Sequence, residues 1–202
     1  AGFDTGVDTY ASHTAGLDGS SETVTIAKTG AADLILDLPG IDLGSATFDV
    51  QAGSLVAVHS NAFGGATLSL NAGELLLSSP TGDITYVEAI AVVTNSTLTV
   101  GQAGDGVVGP LTNTISGDIT FSGSDTLTTR ATDDYTLRLG GQIVGSGTLD
   151  LTGGDVIIDD TSLNAIALNG GALTVFSNLT VNALSQNSGT FTMAGTSKDL
   201  TV

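Results

Sequence analysis

Residues 31–36 read AADLIL, residues 52–58 read AGSLVAV and residues 72–78 read AGELLLS. Each phrase opens on small residues, passes a short polar or charged side chain, and runs into an apolar stretch led by a leucine. Those leucines, Leu34, Leu55 and Leu75, stand 21 and 20 residues apart. A phrase that returns at a period in the twenties marks a solenoid, in which each repeat is one coil that buries its apolar face only by stacking on the next. The phrase returns as GSGTLDL at 145–151 and GGALTVF at 170–176, centred on Leu149 and Leu173, 24 residues apart.

Around these phrases the chain is a succession of short strand-like runs broken by Gly, Asn, Asp and Ser. They include ETVTIA at 22–27, ATLSL at 66–70, STLTV at 96–100, DITF at 118–121, YTLRL at 135–139, DVII at 155–158, NLTV at 178–181 and TFTM at 190–193. Runs of four to six residues with turn formers between them predict an all-β chain. Only VEAIAVV at 87–93 has any helical flavour, and it is short and rich in β-branched residues. The expected architecture is a parallel β-helix of about 20 residues per coil, hence nine or ten coils and about 45 Å of rise. The inward positions are then Leu34, Leu36, Leu55, Leu68, Leu75, Leu77, Leu149, Leu151, Ile157, Leu173, Val175 and Leu179. The alternative is an antiparallel β-sandwich. It calls for hairpin turns, but Asp18-Gly19, Asp105-Gly106 and Asn169-Gly170 are not spaced as a meander.

Composition narrows the functional classes. Four basic residues face 21 acidic ones, for a net charge of −17. That excludes a nucleic-acid binder, which needs a cationic surface, and disfavours docking on anionic lipid. No apolar run approaches the roughly 20 residues of a membrane span, so no membrane insertion is expected. Cysteine is absent, which a long repetitive core tolerates. The first residue is Ala1 rather than Met, as cleavage of a signal peptide or excision of a fragment would leave.

Residues 26–58, IAKTGAADLILDLPGIDLGSATFDVQAGSLVAV, contain Lys28-Thr29-Gly30-Ala31 and Val50-Gln51-Ala52-Gly53-Ser54-Leu55. This stretch resembles the autotransporter-associated β-strand repeat, with its Lys-Thr-Gly-Ala turn and Ala-Gly-x-Leu strand. Residues 140–159, GGQIVGSGTLDLTGGDVIID, look similar to the Gly-Ser-Gly-x-Leu part of such repeats. The resemblance implies a right-handed parallel β-helix on a bacterial surface, in a passenger domain or adhesin, with no catalytic residues. The repeats become irregular between about Tyr86 and Thr136, and no outer-membrane barrel segment follows.

Motifs of catalysis are sparse. There is no Cys and no G-x-S-x-G, and the only histidines are His13 and His59. The acid pairs Asp133-Asp134 and Asp159-Asp160 are read as solvated turns, because neighbours on a strand point to opposite faces. Calcium is the one ion that the 18 Asp among Gly and Asn turns suggest, with Asp155, Asp159 and Asp160 as its ligands. Thr-x-Thr pairs at 23/25, 97/99, 126/128 and 190/192 follow no single period, so no Thr ladder is expected. Two sequons begin at Asn95 and Asn178.

These observations lead to a non-enzymatic, secreted or cell-surface structural protein: a filament, surface-layer or adhesin segment. It divides into an N-terminal arm at 1–21 and a β-solenoid domain at 22–202. It is expected to form a homo-oligomer or filament through open solenoid ends or strand exchange. The alternative is a glycan-binding or glycan-cleaving β-helix, which calls for a lateral groove with converging acids and aromatic rings.

Overall fold

The computed structural model of the protein describes residues 2–3, 8–9, 25–37, 43–44, 46–78, 82–101, 110–132, 134–195 and 199–202. Every strand pairing among them is parallel, and every strand neighbours one from the coil before or after. The chain is a parallel β-solenoid of about seven turns, without helix among the described residues.

A first sheet carries the leucines of the repeat. It stacks β2 (Asp8–Thr9), β4 (Leu34–Leu36), β6 (Ser54–Ala57), β8 (Glu74–Leu77), β11 (Ser96–Val100) and β14 (Thr126–Ala131). Above them come the last residues of β15 (Tyr135–Gly153), β16 (Asp155–Leu168) and β18 (Leu179–Gln186). Leu34 registers with Leu55, and Leu55 with Leu75, as the spacing predicts. The row continues through Leu98, Thr129, Leu151 and Leu168 to Gln186. A second sheet stacks β1 (Gly2–Phe3), β3 (Thr25–Lys28), β5 (Thr47–Val50), β7 (Thr67–Leu70), β10 (Ile90–Val92) and β13 (Ile119–Phe121). The middles of β15 and β16, the start of β18 and β20 (Leu200–Thr201) complete it.

Among the described residues the third sheet begins with β9 (Ile84–Tyr86). It is built by β12 (Leu111–Ile115), the starts of β15 and β16, β17 (Ala172–Val175) and β19 (Thr190–Met193). In the earlier coils, loop residues Leu43, Ala46, Ala62, Phe63 and Ala66 fill the corresponding part of the core. Phe63 marks the change of cross-section. Its ring meets Phe48 edge-on at 6.1 Å and Tyr86 at 5.9 Å. Tyr86 then donates its hydroxyl to the Ala57 carbonyl at 3.2 Å, so that the first rung of the third sheet is tied to the two-sheet coils.

Several expectations change. Turns along the leucine row range from the 17 residues between Leu151 and Leu168 to the 31 between Leu98 and Thr129. The uniform coil of about 20 residues therefore becomes a series of unequal turns, seven of them between Leu34 and Gln186 along this row. Leu149 and Leu173 do not stack: Leu149 lies in the first sheet against Leu127 and Ile166, and Leu173 in the third against Val156. Ile157 faces outward. Its neighbours Val156 and Ile158 register on Leu137 and Leu139, and strand alternation leaves Ile157 beside Arg138 and Thr174. The other eleven inward candidates are buried. The stretch at 87–93 holds β10. The irregular middle of the sequence contains the longest turn of the leucine row, and its described strands still pair in parallel with neighbouring coils. Two dipeptides of the expected arm, β1 and β2, pair with β3 and β4, while the remainder of 1–21 lies outside the described residues.

Candidate functional site

Parallel stacking brings residues that are a full coil apart in sequence side by side on the outer surface. The position just before the leucine of the repeat is Asp33, Ser54 and Glu74 in successive coils, so these form one row along the first sheet. The next outward row is Ile35, Val56, Leu76, Thr99 and Arg130. The two rows interlock through Glu74. One of its carboxylate oxygens accepts the Ser54 hydroxyl at 3.0 Å. The other accepts the Thr99 hydroxyl and Arg130 Nη2, the latter at 3.3 Å, and Arg130 Nε donates to Thr99 Oγ1 at 3.0 Å. These side chains border a groove of about 310 Å³, lined by Asp33, Ser54, Glu74, Leu76, Thr99 and Arg130 among others. Val56 faces outward, yet it is only 4% exposed and stands apart from the interior cluster, so the surface is concave here.

Of the acids picked out for calcium, Asp159 is engaged by both arms of Arg138. Nε reaches Oδ2 at 2.8 Å and Nη2 reaches Oδ1 at 3.0 Å. A cation at Asp159 would therefore compete with a bidentate guanidinium. Asp155 is exposed at the start of β16, and the side chains of Asp160 and Asp133 lie outside the described residues. Among the described residues no three Asp, Glu or His side chains converge on a point.

Two of the acids, Asp83 and Asp118, have a structural task at the corners. Asp83 accepts the amide of Thr112 at 2.7 Å, and Asp118 accepts that of Gln142 at 2.9 Å. Asn95 and Asn178, the two sequon asparagines, do the same for Thr126 and Asp199 at 2.8 and 3.2 Å. Each sits just before a strand and captures a backbone N–H of the coil above, a donor that the bend would otherwise leave without a sheet partner. His59 is a corner residue as well, with Nε2 2.9 Å from Asp37 Oδ1.

The solenoid interior holds a few polar groups. Lys28 ends β3 at an inward position and is 4% exposed. Its ammonium donates to the carbonyls of Gly30 and, at 2.8 Å, of Ala52, so it closes the turn of one coil onto the next. Burial pushes its pKa down, and the nearby Asp33 carboxylate partly offsets that. Burial also pushes the Tyr86 phenol up, reinforced by Glu88 and Tyr135. Glu88 itself is 5% exposed, with one oxygen 3.4 Å from the amide of Gly65 and the other without a partner in the described structure. Asn113 registers between Ile84 and Leu137 and is fully buried.

No family model, curated protein or solved structure matches this chain. The likeness of 26–58 to surface-protein repeats therefore rests on its own residues. The structure gives one of them a physical reason: Lys28 of the Lys-Thr-Gly-Ala turn is the ammonium that ties two coils together.

Sequence reading did not find the Glu74 groove, although a signal was present in it. Asp33, Ser54 and Glu74 occupy the same place in the three leading phrases and so must lie in one outward row. A lateral groove with converging acids and aromatic rings was expected for a glycan-handling protein. The groove here holds Asp33 and Glu74, and no aromatic side chain lines it. No helix among the described residues is long and apolar enough to cross a membrane.

Proposed function

We propose that this chain is a non-catalytic structural protein of the cell surface or extracellular space that assembles through the ends of its solenoid. The observation that carries the reading is the stack itself, parallel strands in register through about seven turns in which each coil is a template for the next. β19 pairs with β17 on one side only, and β20 pairs only with β18, among the described residues. In the third sheet Leu173 and Val175 are fully buried, but Phe191 and Met193, which register directly on them, are only partly so. Leu200 is 43% exposed above a fully buried Leu179. Phe191, Met193 and Leu200 thus form an apolar row over the buried Leu173, Val175 and Leu179, on which a further layer of parallel strands, from more chain or from a second copy, would stack. In the proposed assembly second copies supply that layer, and head-to-tail contacts that do not close generate a filament.

Three further features support this reading. The resemblance at 26–58 points to passenger domains and adhesins. The net charge of −17 keeps such rods apart laterally. Among the described residues, the acids at the corners and at Arg138 serve the scaffold and converge on no common point.

Light scattering and electron microscopy over a concentration series test the proposal. The intact chain should form particles whose mass grows with concentration and whose width stays that of one solenoid. Phe191→Glu with Met193→Glu places charge on the open end and should hold the protein as a monomer with an unchanged circular dichroism spectrum. An intact chain that stays a monodisperse monomer at high concentration overturns the proposal.

A further inference from the structure

We infer that the coil formed by β12, β13 and β14 is a breakpoint built into the solenoid, which opens before the blocks of coils on either side of it unfold. The inference does not rest on the assembly reading, because it concerns the interior of a single chain.

In a solenoid each coil touches only its neighbours. Stability is then a sum of coil terms and nearest-neighbour interfaces, and one poor layer limits how far cooperativity spreads. The inward rows contain such a layer. In the first sheet Thr129 registers between Leu98 and Leu151, and in the third Asn113 registers between Ile84 and Leu137. Both polar residues belong to one coil, and both are fully buried. Neither Oδ1 nor Nδ2 of Asn113 has a partner among the described residues. A buried amide in that state carries its full desolvation penalty, while the aliphatic side chains above and below lose a matching contact. Thr129 is held little better, since its hydroxyl reaches only the Asp150 carbonyl, at 3.4 Å.

The backbone is interrupted at the same place. Thr129 registers with Leu151, but Arg130 registers with Gly153, so the ladder between β14 and β15 slips by one residue there. A bulge of this kind leaves the extra residue outside the pairing. The corner beneath adds a further weak group. Glu88 is the other described side chain with a buried, unpartnered atom, and Gly117 of the breakpoint coil packs directly on its backbone. Away from this coil the same row is aliphatic, with Leu55, Leu75 and Leu98 below Thr129 and Leu151 and Leu168 above it.

Hydrogen exchange of the full chain in low urea, followed by mass spectrometry, tests the inference. Amides of β12, β13 and β14 should exchange about tenfold faster or more than those of β6 and β8 on one side and β16 on the other, a minimum of protection inside the molecule. Asn113→Leu and Thr129→Val keep the heavy-atom skeletons of the two side chains and remove their polar atoms. Together they should slow exchange of β12, β13 and β14 by about tenfold or more and fill in the minimum. Protection that falls smoothly from the centre of the unsubstituted chain to its ends overturns the inference. So does unchanged or faster exchange of these strands in the double variant, since the polar pair would then not be what weakens the coil. If the double variant fails to fold, the polar pair is needed to hold the coil, which overturns the inference as well.

Discussion

Gly171→Ala should destabilise the protein by about 2–5 kcal/mol, seen as a lower denaturation midpoint in urea. Two costs combine at this corner. Gly171 has a φ of +71°, where a side chain costs about 1–2 kcal/mol. A Cβ there would also lie 2.1 Å from the carbonyl oxygen of Gly154, one coil below. That oxygen is backbone and accepts the amide of Ala172 at 2.9 Å, so no rotamer change relieves the clash and the strand pair β16–β17 must part. Overpacking of this kind adds about 1–3 kcal/mol. The same contact recurs one coil up, where a Cβ on Gly189 would meet the Gly171 oxygen at 2.4 Å. Gly153→Ala is the control. Nothing lies within 4 Å of its Cβ position and its φ is ordinary, so stability should hold or rise by about 0.5 kcal/mol. Equal losses at both positions would remove the close-stacked corner from the account.

Lys28→Ala should cost about 3 kcal/mol, and Lys28→Met clearly less. Both leave the carbonyls of Gly30 and Ala52 without their shared donor, at about 1 kcal/mol or more each. Alanine also empties the space of the buried stem, while methionine fills most of it and removes a charge whose burial was itself costly. The pH dependence separates these effects. The folded-state pKa of Lys28 lies below its unfolded value of 10.5. Between the two, the unfolded chain binds more protons than the folded one, so this residue's contribution rises with pH across that window. Below the window both states are charged and the full burial penalty remains. Lys28→Met should therefore lack the alkaline gain in urea midpoint expected of the unsubstituted chain. A parallel pH profile in the two proteins would contradict a buried, desolvated ammonium.

The architecture was legible where one sheet repeats itself in the sequence. Leu34, Leu55 and Leu75 hold the same place in three similar phrases, and they stack. Legibility failed where a phrase changes sheet. GSGTLDL and GGALTVF look alike, but β15 and β16 bend through all three sheets without a break, so sequence similarity no longer reports which face a strand occupies. Polar residues in the inward rows hid others: Asn113 in β12 and Thr129 in β14 occupy core positions that coils above and below fill with Ile and Leu. The alternation of DVII could be read in either phase, and only Leu137 and Leu139 beneath it place Ile157 outside. The groove was hidden for a related reason, since its six named residues come from 33, 54, 74, 76, 99 and 130 and meet only through register. The acids near 155–160 drew attention because they are close in sequence. In this fold, neighbours in space are a coil apart, and Asp159 answers to Arg138.

Parallel, in-register stacking underlies every site described above, and a pair of engineered cysteines tests it directly. The chain has no cysteine of its own. Thr97 and Thr128 both face outward and register on each other across β11 and β14. Their Cα atoms therefore lie about 4.8 Å apart, within the span that a disulfide bridges. Thr97→Cys with Thr128→Cys should form an intramolecular disulfide in nearly all molecules under mild oxidation, assigned by peptide mass mapping. Thr97→Cys with Thr126→Cys places the Cα atoms about 8 Å apart and should stay reduced. Failure of the first pair to close, or closure of the second as readily as the first, would contradict the stacked solenoid.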